Sequence, residues 1–374
     1  MAEQQSVLML LPSLHGNGGI QRFNRTLLQA AEKCGAKITA CSLVDSTAAL
    51  QGIEHHTNTR LIGTARNRLR FILFSFREIV FGRWDDIVIG HINLVVAIQW
   101  MLTIALYRPR VFLIAHGIEI WGQIHGWRRR AVAACSRVLA VSSYTRSSIL
   151  QQVPELPPDR CMIFPNALAQ HWIDLQSSIS VAGARMARHH RPLPERFVLS
   201  VTRLACTERY KGIVSTIECV SGLQDASIHY VVAGKGDDVD FLKRVAKRCG
   251  VAERVHFISN LTDAELAELY RHALAFVLPS GKEGFGIVYL EAMHFGLPVI
   301  AARARGAVDV VRDGETGLLV EYGDVAAISG AINRIADDEV LRTHLIKSGK
   351  RLVTCEGEFT VQAMMQRWND VIAN

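Results

Sequence analysis

Two glutamates, Glu283 and Glu291, bracket the segment EGFGIVYLE, and two cations, Arg203 and Lys211, bracket the earlier segment RLACTERYK. Carboxylates accept paired hydrogen bonds from vicinal hydroxyls, whereas an arginine fork and a compact lysine charge suit phosphate oxygens. A nucleotide sugar, with hydroxyls on both sides of a diphosphate, would satisfy both pairs. If the bond to that diphosphate breaks, negative charge builds on the leaving group, and the cations are placed to stabilise it. An isolated glutamate is usually a solvated surface charge. The case for chemistry therefore rests on the elements that hold these four residues.

Ala275–Leu278 is a short apolar run ending at Pro279, which reads as a strand buried on both faces of a parallel sheet. Ser280 to Gly286 supplies turn residues, and the pattern is helical from Ile287 until Gly296 and Pro298 stop it. A helix opening near Phe285 or Gly286 leaves backbone N–H groups unpaired, with the positive end of its dipole toward the strand ends; such a terminus binds phosphate. Glu283 falls in the loop before it and Glu291 about a turn and a half inside. Arg203 lies just past a strand at Phe197–Val201, and Lys211 precedes a helical run. Further on come a strand at His229–Ala233, the loop Gly234-Lys235-Gly236-Asp237, a helix at Val239–Cys249, a strand at Val255–Ile258 and a helix at Asp263–His272. A strand at Leu297–Ala301 and a hairpin-like end at Gly314–Val320 complete the half. Strand and helix alternate throughout, the pattern of a doubly wound α/β domain.

In order and spacing, VTRL…KG, AGKGDD, RVHFISNLTDAELAELY, LPSGKEGFGIVYLEAMHFGLPVIA and DGETGLLV resemble the retaining, GT-B fold glycosyltransferases of family 4. The resemblance implies an α/β fold of two Rossmann-like domains facing across a cleft. It implies transfer of a hexosyl group from a nucleotide diphosphate sugar, with UDP or GDP as the nucleotide, to an acceptor hydroxyl with retention. It also implies that Glu283 lies by the donor sugar's hydroxyls, that Glu291 binds the ribose, and that Arg203 and Lys211 hold the diphosphate together with the backbone amides of Phe285, Gly286, Ile287 and Val288. One departure is Arg305-Gly306-Ala307-Val308-Asp309, where relatives often have two glycines and then a glutamate. Arg305 is then a specificity element or a surface residue.

The amino-terminal half carries less specific signals. Val7–Leu11 reads as a strand, and Gly16-Asn17-Gly18-Gly19 leads into a helix from about Ile20. Neither GxGxxG nor GxxxxGK[ST] is present, so the dinucleotide and P-loop fingerprints are missing. By itself the loop is equally a tight turn built on glycine's permissive backbone; the resemblance sets Gly18 and Gly19 against the diphosphate and the acceptor. His116 follows the strand Val111–Ala115 at its carboxyl end, where open α/β sheets bind ligands. The resemblance gives this histidine contact with the donor sugar or the reacting centre, through a neutral imidazole or through its backbone carbonyl. Ser142 and Ser143, after a strand at Val138–Val141, are weaker candidates for polar contacts near the diphosphate.

At 374 residues and 49% hydrophobic, the chain is long enough for two cores. The expected division is 1–165, an acceptor-side domain on which a helix at 359–374 packs back, and 166–358, the nucleotide-sugar domain. Cysteines at 34, 41, 135, 161, 206, 219, 249 and 355 form no CxxC pair, and no histidine cluster has zinc spacing, which points to reduced thiols in the cytoplasm. The run at Val7 is too short for a signal peptide and lacks a basic n-region. Ile92–Tyr107 is apolar but broken by Asn93, Gln99 and Thr103, which favours a buried helix over a membrane span. No DxD-like metal site and no cofactor beyond the donor substrate are expected. The donor's nucleotide and sugar, the acceptor and the oligomeric state are left open.

Charge is unevenly divided. Residues 1–165 hold 18 Lys and Arg against 10 Asp and Glu, while the remainder hold 24 against 25. Arg66, Arg68, Arg70, Arg77 and Arg83 interleave with apolar and aromatic residues up to Trp84, and Trp127-Arg128-Arg129-Arg130 adds a second cluster. This composition suits docking on an anionic membrane at the inner face of the plasma membrane, with a lipid-linked or lipopolysaccharide acceptor. It equally suits a core helix whose arginines are solvated. Nucleic-acid binding would explain the basic half but neither the near-neutral half nor the carboxylate pair. A phosphorylase would need a pyridoxal-phosphate lysine in a longer chain, and a nucleotide-sugar 2-epimerase would need no acceptor.

Overall fold

Apolar runs too short for helices, punctuated by glycine and proline, become the strands of two parallel sheets. The computed structural model describes residues 4–16, 18–53, 55, 58–179, 193–354 and 356–373. In order, the chain forms β1 (Ser6–Leu11), α1 (Gly19–Lys33), β2 (Lys37–Ser42), α2 (Thr47–Leu50), β3 (Thr59–Gly63), α3 (Arg68–Phe81), β4 (Asp86–Ile89), α4 (Ile92–Thr103), β5 (Arg110–Ala115), α5 (Gly126–Ala133), β6 (Arg137–Ala140), α6 (Ser143–Gln152) and β7 (Cys161–Ile163). It continues with α7 (Gln170–Ile179), β8 (Phe197–Val201), α8 (Ile213–Cys219), β9 (His229–Ala233), α9 (Val239–Arg248), β10 (Val255–Ile258), α10 (Asp263–His272), β11 (Ala275–Leu278) and α11 (Ile287–His294). Last come β12 (Val299–Ala302), β13 (Gly317–Val320), α12 (Val325–Asp337), α13 (Glu339–Val353) and α14 (Val361–Ala373). One unit runs to Ala167 and resumes at Val361; the other is Leu168–Thr360.

The first unit has a seven-stranded sheet in the order β3-β2-β1-β4-β5-β6-β7. Its strands are all parallel, with Met9 of β1 level with Ala40 on one side and Val88 on the other. Val7 to Leu11 are fully buried, as expected of a strand with both faces covered. Leu8, Leu10, Ile87, Ile89 and Leu113 meet the inner sides of α3, α4 and α5 in one apolar cluster. The returning helix α14 packs against α1. Its Trp368 is fully buried with its ring 6.4 Å from Phe112 of β5, and Arg110 donates to the Ile372 carbonyl at 2.6 Å.

The second unit has a six-stranded parallel sheet in the order β10-β9-β8-β11-β12-β13. In both sheets the strand order reverses beside the first strand of the unit, between β1 and β4 and between β8 and β11. These reversals are the crevices where open α/β sheets bind ligands.

Two expectations from the sequence are corrected here. The hairpin-like end at Gly314–Val320 is instead the parallel strand β13, its Gly317 level with Val299, because the chain crosses over through the 3-10 turn Arg305–Asp309 before pairing. The helix from Ile92 stops at Thr103 and is buried on one side only: Trp100 is 62% exposed, and Ile104 and Leu106 beyond it are exposed as well. Of the described cysteines, Cys41, Cys135, Cys161 and Cys219 are buried, Cys34 and Cys249 are half-buried and Cys206 is exposed, while Cys355 lies outside the described residues. Among the described residues no helix is long and apolar enough to cross a membrane.

Helix α10, which carries Tyr270 toward Glu291, starts at a capping box. The Thr262 hydroxyl accepts from the Glu265 amide at 3.2 Å, and the Glu265 carboxylate accepts from the Thr262 amide at 2.8 Å. Thr262→Ala is expected to lower stability by about 1 kcal/mol, measured by urea denaturation of the whole chain.

Candidate functional site

At the crevice of the second unit, the carboxyl ends of β8 and β11 deliver the predicted residues. The loop after β11 carries Glu283, and α11 opens at Ile287 with Gly286 as its N-cap. Gly286 has φ +93°, and a Cβ there would lie 2.3 Å from the ring of Tyr289. Only glycine allows this turn, which tucks the first helical turn against the strand end. The Tyr289 hydroxyl, donating to the Leu278 carbonyl at 2.9 Å, fixes α11 on β11. The first amides of α11, from Ile287 and Val288, have no acceptor inside the helix, and its dipole adds positive potential there. Phe285 is buried with its ring 5.3 Å from Phe359, so at this position the backbone rather than the side chain is offered.

Lys211 ends a 3-10 turn, Cys206–Lys211, and its ammonium meets the Glu283 carboxylate at 2.7 Å, both side chains being 14% exposed. Burial alone would lower the lysine's pKa; the charge and hydrogen bond of Glu283 outweigh it, so the pKa is raised and the ammonium stays charged. Arg203 pairs instead with Glu208, while remaining 76% exposed. The second carboxylate oxygen of Glu208 is buried without a hydrogen-bond partner. Glu291 is fully buried in α11 and accepts from the Tyr270 hydroxyl at 3.0 Å. Arg305 adopts φ +51°, a left-handed conformation rare outside glycine. The next residue, Gly306, donates its amide to the Glu283 carbonyl at 3.1 Å, so this turn buttresses the glutamate's loop.

The first unit gathers its own set at the β1/β4 crevice. Gly18 is the N-cap of α1 and Gly19 its first residue; Asn17 lies outside the described residues. The loop before them is held by three side chains. Asp45, buried just past β2, accepts from the amides of Leu14 at 2.6 Å and His15 at 3.1 Å, and from the hydroxyls of Ser13 at 3.0 Å and Ser42 at 2.7 Å. Asn24 donates to the Ser13 carbonyl at 2.9 Å, and Arg25 donates to the carbonyls of Leu14 at 2.6 Å and Gly16 at 2.7 Å. Burial would raise the Asp45 pKa, but these four donors together lower it.

His116 stands at the end of β5, its amide donating to the Glu119 carboxylate at 2.6 Å. Its Nε2 is 3.0 Å from the Gly90 carbonyl, which assigns the proton to Nε2 and leaves Nδ1 as an acceptor. Phe23 meets the ring edge-on at 5.1 Å, and His91 lies 6.5 Å away. Burial lowers the pKa of both imidazoles, more than the Glu119 carboxylate raises them. Ser142 is buried and caps α6, accepting from the Thr145 amide at 3.2 Å, so its hydroxyl is committed to the helix.

The structure therefore brings Lys211 and Glu283 into contact, sets Arg203 on Glu208, and sets Glu291 against Tyr270. Sequence reading missed Asp45, Arg25, Glu208 and Tyr270. For Asp45 the only signal is its place at the carboxyl end of a strand, in SLVD; the others sit in ordinary helical or turn patterns.

Comparison with known proteins follows the same two halves. The model of Glycosyltransferase Family 4 matches residues 17–169, and that of Glycosyl transferases group 1 matches residues 184–352. A D-inositol 3-phosphate glycosyltransferase of Acidothermus cellulolyticus is 30% identical over 65% of this chain and 55% of its own length. The lipopolysaccharide core biosynthesis glycosyltransferase LpsE of Rhizobium meliloti is 31% identical over 52% and 54%. The chain thus spans just over half the length of the curated relatives it matches. Among solved structures, a sucrose-phosphate synthase of Thermosynechococcus elongatus has a TM-score of 0.77 at 20% identity, covering 99% of this chain and 98% of that one. HepE of Anabaena, in complex with UDP and glucose, has a TM-score of 0.77 at 18% identity, covering 99% and 100%. At these identities the structural likeness concerns the fold.

Asp45→Asn keeps the volume but removes the charge that four donors point to, and is expected to cost about 2–3 kcal/mol. Because the folded pKa of Asp45 is depressed, its contribution is complete above the unfolded pKa and is lost as pH falls through the folded one. The gap between wild type and variant in urea melts should therefore shrink in acid, below about pH 4; a constant gap across that range would disprove the assignment.

Proposed function

This chain belongs to the family 4 glycosyltransferases of the GT-B class, and on that premise we propose that it moves a hexosyl group from a nucleotide diphosphate sugar to an acceptor hydroxyl, with retention. The observation that carries the proposal is the Lys211–Glu283 pair beside the amino terminus of α11. In the transfer, the bond between the anomeric carbon and the diphosphate breaks, a bond to the acceptor oxygen forms, and the acceptor's hydroxyl proton passes to the departing diphosphate. Negative charge grows on the diphosphate, where Lys211, Arg203 and the amides of Ile287 and Val288 offset it without a divalent cation. Glu283 faces the transferred sugar. Glu291, oriented by Tyr270, takes the ribose hydroxyls. In the first unit, His116 offers Nδ1 to a sugar hydroxyl, and Gly18 and Gly19 offer backbone to the acceptor.

The acceptor we assign is a lipid-linked or lipopolysaccharide glycan at the cytoplasmic face of an anionic membrane, with the enzyme attached peripherally. Support comes from the basic excess of residues 1–165 and from relatives named for lipopolysaccharide core biosynthesis and for a phosphatidylinositol monomannoside mannosyltransferase. A nucleotide-sugar 2-epimerase is the competing chemistry. It would release nucleotide and a free sugar with no acceptor present.

Screening UDP-, GDP- and ADP-sugars for nucleotide release, with and without glycolipid acceptors, separates the two. Transfer is expected to persist in EDTA. Lys211→Ala and Arg203→Ala should each lower kcat by roughly 100-fold, by analogy with the loss of an oxyanion-site donor. Undiminished turnover in the double variant would rule out the assigned donor site.

A further inference from the structure

Helices α3, α4 and α5 form one layer on the first sheet, with α4 packed against both neighbours. Their inner sides fill the core through Ile79, Val95, Ile98 and Val132. Their outer sides are apolar as well. On α3, Leu69, Ile72 and Leu73 follow the i, i+3, i+4 spacing of a single stripe, and Leu69 is 65% exposed. On α4, Val96, Trp100 and Ile104 form a second stripe, with no charged residue anywhere in the helix. Trp127 at the start of α5, 74% exposed, supplies a third apolar point. A surface helix normally turns charged groups to water, and a contiguous exposed apolar face marks an interaction site.

The charge on these helices is nearly all of one sign, although Arg129 of α5 is paired with the exposed Glu155. Arg66, Arg68 and Arg70 stand exposed at the start of α3, and Arg128 and Arg130 beside Trp127. The single acid in the three helices is Glu78, little exposed and bonded to Arg77 at 2.6 Å. Apolar stripes with exposed tryptophans and an arginine rim match the layering of an anionic bilayer, acyl chains below and phosphates at the level of the rim.

We propose that the outer face of α3, α4 and α5 inserts into the interface of an anionic lipid bilayer, with Trp100 and Trp127 as anchors. The proposal deepens the membrane attachment in the functional reading above and rests on it for the acceptor. It moves the centre of attachment from the arginines of α3 to the uncharged helix α4. Attachment built this way is held by apolar insertion as well as charge, so salt weakens it without abolishing it.

The test is co-sedimentation of the whole chain with vesicles of phosphatidylglycerol and phosphatidylcholine, against phosphatidylcholine alone, in low and high salt. Wild type should bind the anionic vesicles at least tenfold more strongly, with a blue shift in tryptophan emission that persists in high salt. Leu73→Ser with Trp100→Ser should lose at least tenfold in binding, and Arg68→Glu with Arg70→Glu should lose the preference for anionic lipid. With a detergent-solubilised glycolipid acceptor supplied, both variants should release nucleotide from the donor as wild type does, since none of these residues belongs to the donor site. Equal binding of wild type and the Leu73/Trp100 variant would overturn the proposal. So would a stable dimer that Trp100→Ser dissociates, because the face would then be an interface between copies. Vesicle binding by a wild-type chain that releases no nucleotide from any donor would sink the enzymatic reading and leave the lipid surface standing.

Discussion

A parallel strand covered on both faces can place polar chemistry only beyond its ends. In this chain that constraint acts twice. Val7 to Leu11 in one sheet and Ala275 to Leu278 in the other are sealed by helices, so the charged and hydrogen-bonding groups collect at their carboxyl ends. Where the strand order reverses, neighbouring crossovers leave on opposite faces and open a crevice. His116 and the glycine loop occupy one crevice, and Lys211 with Glu283 the other. The helices, the turns and the unusual backbone at Gly286 and Arg305 all serve to fix what stands at those two edges.

Within the second crevice, the charges are already matched. Lys211 is satisfied by Glu283 and Arg203 by Glu208. Pairs of this kind contribute little net stability, because desolvation consumes most of the Coulombic gain, yet stripping away one partner strands the other in a poorly solvated place. In the donor site proposed above, a diphosphate reaching Lys211 would compete with Glu283 for the ammonium and free the carboxylate for hydroxyls.

Much of this was legible in the sequence where composition and punctuation agreed. The run AFVLP, the turn through Gly286 and the stop at Gly296-Leu297-Pro298 define a strand, a loop and a helix within one or two residues. The strands Lys37–Ser42 and Thr59–Gly63 were not, because KITACS and TRLIG mix polar and apolar residues without a clean period. Side-chain partners are set by tertiary approach, so nothing local announces that Asp45 holds a loop some thirty residues earlier or that Tyr270 meets Glu291. Helix α4 misled for the opposite reason. It carries no charged residue, and Asn93, Gln99 and Thr103 mark no single face, so periodicity says little about which side meets water, and the burial inferred for it held for only half its circumference.

The packing of α14 bears on how the chain is made. Residues 1–167 leave the ribosome before the second unit and contain every described strand of their sheet, but the helix that packs on α1 and buries Trp368 beside Phe112 follows that unit. Until Val361–Ala373 emerges, the part of that sheet around Phe112 lacks the cover of Trp368 while the second unit is synthesised. The unit begun first is thus the last to be completed, and throughout that interval its uncovered face is open to chaperones and to misassociation.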